Sequence, residues 1–238
     1  MMERLVNFIL AFIVVVCFAA CKGNSKSEVK VPTEYCEELV ILAEDGNAEA
    51  QTKLGTCLLH GNGVEQNVNE AVKWYQKASD QGYARGQMSL GNCYIFGNGV
   101  SQDLNKGAEL IRKAAEQGGA EEQATMSGLY EHGIGVPQDD REAFIWCKKS
   151  AEQGFAKAQG VLGNMYLYGK GVEQNPDEGR KWLEKASEQG DADAKLGLAV
   201  YYQLGIGVPK DPQKAMELIN EAAEQGHKGA IEILRNSH

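Results

Sequence analysis

Catalysis needs reactive side chains brought together, and this chain offers few sets with a useful spacing. Ser27-Glu28-Val29-Lys30 has the Ser-x-x-Lys spacing that lets a lysine serve a serine nucleophile, but no Ser-Asp-Asn or Lys-Thr-Gly accompanies it. Its surroundings, KGNSKSEVKVPT from Lys22 to Thr33, lack the apolar residues that would hold it in place. His60 and His132 fall at one position of a repeating pattern, two periods apart. In a helical stack about 20 Å would separate them, whereas shared metal ligation needs bonds of about 2 Å. They read as structural or surface histidines, and the sequence points to no metal and no cofactor. The Gly-x-Gly-Val stretches, such as Gly61 to Val64, have the glycines of a phosphate cradle without the preceding strand it requires, so they read as turns. Cys36 and Cys57 lie at similar distances from Gly46-Asn47, so two antiparallel helices would set them opposite each other. They form either a disulfide in an oxidising compartment or two buried thiols. Cys93 and Cys147, whose equivalents include Leu129, Met165 and Leu183, read as small buried hydrophobes. These sets do not converge, and the chain is not expected to be an enzyme.

The charge balance removes two further classes of function. Against 33 Asp and Glu stand 24 Lys and Arg, a net charge of -9 over 238 residues, which gives no electrostatic reason to bind nucleic acid or an anionic lipid surface.

What must position any site is a strict 36-residue period. The stretch AEAQTKLGTCLLHGNGVEQNVNEAVKWYQKASDQGY at 48–83 returns at 84–119, 120–155, 156–191 and 192–227 without insertion or deletion. Such a period builds a stack of like units around a continuous core. Within each unit the apolar positions form two helical stripes. One holds Leu54 and Leu58, then Leu90 with Tyr94 and Leu162 with Tyr166; the other holds Ala71, Trp74, Tyr75 and Ala78. Between them Gly61, Gly97, Gly133, Gly169 and Gly205 suit a left-handed C-terminal cap, and Val64 and its equivalents plug the end of the helix pair. Asn67, Asp103, Asp139, Asn175 and Asp211 suit the N-cap of the second helix, with Pro176 and Pro212 at its first position. Glu70, Glu142 and Glu178 stand where a capping box would use them. The expected fold is all-α, an α-solenoid of antiparallel helix hairpins. Half-units at 34–47 and 228–238 would close its ends.

A unit of this form, A-x-A-Q-x-x-L-G-x-x-Y-x-x-G-x-G-V followed by D-x-x-K-A-x-x-W-x-x-K-A-A-E-Q-G, resembles the Sel1-like repeat, a relative of the tetratricopeptide repeat with a longer internal turn. The resemblance covers about residues 35 to 235 and implies an α-solenoid that serves as a protein-interaction scaffold, with exported members acting as adaptors or regulators in envelope assemblies. Cysteine-rich exported members are linked to β-lactam binding or hydrolysis. This chain lacks the pair of Cys in every repeat that marks that branch, which makes a β-lactamase-like hydrolase the weaker alternative.

The first 20 residues read as a leader: Arg4, then an apolar run from Leu5 to Phe18 interrupted by Asn7 and too short for a permanent span. Phe18-Ala19-Ala20-Cys21 resembles the lipobox of bacterial lipoproteins, in which the Cys carries the lipid, although Phe18 stands in place of the usual Leu. The alternative is a plain secretory signal; both export the chain. Residues 21–33 then form a tether. Lys22 supplies no acidic retention cue, which favours the outer membrane for a lipid-anchored, periplasm-facing protein.

In tetratricopeptide-type stacks the first helix of each unit lines the concave side, and here the copies differ most at its far end. One row is Thr56, Asn92, Gly128, Asn164 and Val200; a second is Leu59, Ile95, Glu131, Leu167 and Gln203; a third is His60, Phe96, His132, Tyr168 and Leu204. Ile95, Phe96, Leu167 and Tyr168, with Arg85, Asn92 and His132 beside them, are the candidate contacts for an envelope protein or peptide segment. The competing readings are that these side chains merely seal adjacent hairpins, or that the row takes a small ligand or a cell-wall glycan.

Overall fold

A computed structural model describes residues 33–236, with side chains from residue 39 onward. The expected leader, the tether up to residue 32 with Cys21 and Ser27 to Lys30, and the side chain of Cys36 lie outside the described residues. Thr33, expected to close the tether, instead opens the first helix.

The described residues form twelve α-helices: α1 Thr33–Glu44, α2 Ala48–His60, α3 Val68–Asp80, α4 Ala84–Phe96, α5 Leu104–Glu116, α6 Ala120–His132, α7 Asp140–Glu152, α8 Ala156–Tyr168, α9 Pro176–Glu188, α10 Ala192–Leu204, α11 Pro212–Glu224 and α12 Lys228–Asn236. No helix among them is long and apolar enough to cross a membrane. They fall into two compact units, α1 to α6 up to Asp139 and α7 to α12 from Asp140. In the N-terminal unit each helix packs on the next, and the first helices of successive repeats also touch, α2 on α4 and α4 on α6. The C-terminal unit repeats the scheme, with α8 on α10. Each unit is thus a run of α-solenoid whose first helices share one layer.

The turns show why the helices stop where they do. Gly61, Gly97, Gly133, Gly169 and Gly205 are all left-handed, and the N–H of Gly61 reaches back to Cys57 O. The second glycine of each turn has a separate task. Gly99 (φ 70°) lies so close to the preceding repeat that a Cβ would come within 2.8 Å of Val68 O, and Gly135 and Gly171 stand in the same relation to the backbones of Leu104 and Asp140. A side chain there would drive successive repeats apart.

Asn67, Asp103, Asn175 and Asp211 cap the second helices, accepting from backbone N–H groups three residues on at 2.9–3.1 Å. The capping box is not completed at Glu70 and Glu178. The backbone N–H it would engage donates instead to the first helix, from Asn67 to Leu58 O at 2.8 Å and from Asn175 to Tyr166 O at 2.9 Å. Those glutamates turn outward to Lys73 and Lys181.

Amide relays, each with one buried and one exposed glutamine, join the repeats. Gln81 donates to Gln51 Oε1 (2.8 Å), and Gln51 donates to Ala43 O of the preceding helix (3.1 Å). Gln189, Gln159 and Ala151 O form the same relay at 2.7 and 3.1 Å. In the last repeat Lys195 replaces the first amide and pairs with Glu221 at 2.7 Å. Lys73-type partners aside, the second helices also carry a lysine over each tryptophan, with Lys77, Lys149 and Lys185 3.7–4.2 Å from the ring centres of Trp74, Trp146 and Trp182.

Candidate functional site

The last turn of each first helix ends against a left-handed glycine, so its final side chain is carried to the edge of the hairpin. Of the three variable rows, this third one is the surface. Phe96 and Tyr168 are each 38% exposed and Leu204 is 41% exposed, His60 is exposed, and His132 is half-buried with its Nε2 4.0 Å from the Glu131 carboxylate. Phe96, His60 and His132 belong to the N-terminal unit; Tyr168 and Leu204 belong to the C-terminal unit. Partial burial raises the Tyr168 hydroxyl above its ordinary pKa, which keeps it a neutral hydrogen-bonding group.

Ile95 and Leu167, expected beside them on the surface, are core residues at 4% and 3% exposure. The cause lies twelve residues further on. Gly107 and Gly179 occupy a position that carries Ala71, Ala143 and Ala215 in the other repeats. A Cβ on Gly107 would come within 2.6 Å of Ile95 Cγ1, and one on Gly179 within 3.2 Å of Leu167 N. Where glycine omits the Cβ, the large side chain of the facing first helix is accommodated in the core. That pairing of Gly with Ile or Leu is visible in the sequence once the two rows are compared.

Arg85 and Asn92 are placed differently from each other. Arg85 spans α4 to α6, 2.7 Å from Glu121 and 3.8 Å from the buried Glu122. Its charge compensates a carboxylate that the third repeat carries where the others have Ala50, Gly86, Ala158 or Ala194, so Arg85 joins repeats. Asn92 remains half-buried, one turn before Phe96.

The reactive groups are scattered and muted. Among the described residues no three His, Cys, Asp or Glu side chains lie close enough to hold a metal ion. Burial pushes the Cys93 thiol up to about 11 and the Tyr75 hydroxyl up to about 12, the latter against a hydrogen bond to Thr56 at 3.0 Å. Cys147 Sγ donates to Ala158 O at 3.3 Å, and Cys57 packs among Leu39, Leu54 and Trp74. What each unit offers is an exposed apolar edge suited to binding, Phe96 in the N-terminal unit and Tyr168 with Leu204 in the C-terminal unit.

Comparison with known proteins agrees with this architecture. No curated protein sequence matches the chain significantly. Among solved structures it is similar to a Sel1 repeat protein from Oxalobacter formigenes, with 30% identity and a TM-score of 0.75 over 85% of this chain and 88% of that one. It is also similar to c5321, a protective antigen of uropathogenic Escherichia coli strains displaying an SLR fold, at 31% identity and a TM-score of 0.72. That likeness covers 94% of this chain, which spans 46% of the length of c5321. The immunity protein Pa5087 from Pseudomonas aeruginosa is more distant, at 25% identity and a TM-score of 0.53 over 77% of this chain and 67% of that one. The family model described as Sel1 repeat matches residues 48–83, 84–119, 125–155, 156–191 and 192–227, the third match starting beyond the Glu122 departure, and the chain belongs to the Sel1 repeat family.

Proposed function

We propose that this chain is a lipid-anchored adaptor of the bacterial cell envelope that holds a protein partner through last-turn residues of its first helices, Phe96 in the N-terminal unit and Tyr168 with Leu204 in the C-terminal unit. Sel1 repeats are generally scaffolds for protein–protein interaction. The observation that carries the reading is the exposure of Phe96, Tyr168 and Leu204 at one repeat position, while the hairpin cores are filled by residues such as Leu90, Ile95, Leu162 and Leu167. The leader and the Phe18-Ala19-Ala20-Cys21 stretch support the anchor. The chain's role is to hold, with no reaction of its own.

Crosslinking in intact cells, followed by identification of the attached species, tests the adaptor. A defined envelope protein should be captured and should be lost when Phe96→Ala is combined with Tyr168→Ala. Retention on purified cell-wall glycan, with no protein captured, would transfer the site to a sugar ligand. Labelling with a fatty acid that disappears in Cys21→Ser tests the anchor separately.

A further inference from the structure

Two of the five turns carry an asparagine before their second glycine. The residues at that position are Asn62, Asn98, Ile134, Lys170 and Ile206, each followed by glycine. A side-chain carboxamide can be attacked by the backbone nitrogen of the next residue, and glycine leaves that nitrogen unshielded by a Cβ. At Asn98 the structure leaves both reacting groups free. Asn98 is exposed, and among the described residues neither its carboxamide nor the Gly99 N–H makes a hydrogen bond within the protein. The turn around them is fastened. The Asn98 N–H reaches Cys93 O at 2.9 Å, Gln102 Nε2 reaches Ile95 O at 2.7 Å and the Asp103 N–H reaches Tyr94 O at 2.9 Å.

We propose that Asn98-Gly99 is a site of spontaneous backbone modification, where asparagine converts to isoaspartate and loosens the joint between the repeats at 48–83 and 84–119. Base removes the proton from the Gly99 nitrogen, which bonds to Asn98 Cγ; the Cγ–Nδ2 bond breaks and ammonia leaves, closing a five-membered succinimide. Water, the only co-reactant, then adds to one of the two ring carbonyls. Opening the new Cγ–N bond gives aspartate with an unchanged main chain. Opening the original C–N bond gives isoaspartate, whose main chain runs through Cβ and Cγ and is one methylene longer. A free loop would absorb that length, but this turn is closed at both ends. On one side Gly97 caps α4 at φ 70°, and on the other Gly99 lies where a single added Cβ would stand 2.8 Å from Val68 O of α3. A longer chain between them presses Gly99 into the preceding repeat, and the contact or the turn's hydrogen bonds must give. Gly135 and Gly171 lie equally close to the preceding backbone, but they follow Ile134 and Lys170, which have no carboxamide. Among the five turns the chemistry is confined to the N-terminal unit.

The test ages the full folded chain at mildly alkaline pH, with a sample in urea beside it, and reads both by peptide mass spectrometry. The peptide holding residue 98 should gain one mass unit in the folded sample, and a protein isoaspartyl methyltransferase should label that same peptide. The rate should rise in proportion to hydroxide concentration, because the attacking nitrogen must lose its proton. Aged wild type should melt a few degrees below fresh protein. Freshly made Asn98→Asp, which has the charge without the extra methylene, should melt with fresh wild type. Asn98→Lys, which borrows the residue of the fourth repeat, should take no label at this turn and should hold its melting temperature on ageing. An intact Asn98 in the folded chain, whether or not it reacts in urea, would overturn the site. The link to the joint fails if label accumulates without a fall in melting temperature, if aged Asn98→Lys falls equally, or if fresh Asn98→Asp already melts as low as the aged chain.

Discussion

Gly82 and Gly99 share a left-handed backbone, at φ 76° and 70°, yet their replacement should differ sharply. A Cβ at Gly82 meets nothing within 4 Å, so Gly82→Ala should cost only the left-handed penalty, about 1 kcal/mol. At Gly99 the added carbon also strikes Val68 O, and Gly99→Ala should lower the unfolding free energy in urea by about 3 kcal/mol. Titration gives a second check at this scale. Tyr75 and Cys93 are held neutral by burial, their pKa values raised from 10.0 and 9.0 to about 12 and about 11. Because the folded values lie above the unfolded ones, the associated stability is complete below about pH 9 and is lost as pH rises toward 12. Unfolding free energy should fall over that window, by roughly 2–3 kcal/mol for Tyr75 alone, and Tyr75→Phe should flatten the part above pH 10. Single side chains were the hardest part to read in advance. Ile95 and Leu167 sit in a row whose sequence variation resembles that of a surface, while their burial depends on Gly107 and Gly179 on the opposing helix.

Helices and caps were far more legible, since a 3.6-residue period and the cap residues act locally. Gly61, Asn67 and Pro176 mark ends that packing merely accepts. The glutamate of the capping box was misleading for a tertiary reason, because Leu58 O already occupies the N–H of Asn67. Asn67→Ala should therefore destabilise by about 1 kcal/mol, whereas Glu70→Ala should stay within about 0.5 kcal/mol; thermal unfolding of the two variants separates the cases. A glutamine two residues after four of the five turn valines, replaced by Lys210 in the last repeat, likewise acts through a tertiary contact. Gln66, Gln102 and Gln174 donate to Leu59 O, Ile95 O and Leu167 O at 2.7–2.8 Å, clasping the end of the first helix across the turn. Polar turn residues look solvated until the carbonyl they serve is known.

At the level of the molecule, the period alone carried the architecture, because each repeat contacts only its neighbours and local likeness becomes global order. Binding belongs to this scale too. Phe96→Ala with Tyr168→Ala should abolish partner capture in cells while shifting the melting temperature by no more than a few degrees, since both side chains lie at the edge of their hairpins. The amide relays have a consequence for how such a chain changes length. Gln81 to Gln51 and Gln189 to Gln159 link residues at an identical offset of 30, so a whole unit inserted or excised leaves each amide facing a matching partner. Removing a single residue inside a unit would put every relay it crosses out of step. Excision of one whole repeat should therefore leave the surviving relays in register, whereas deletion of one residue between Gln159 and Gln189 should break theirs, a ruler written in glutamine.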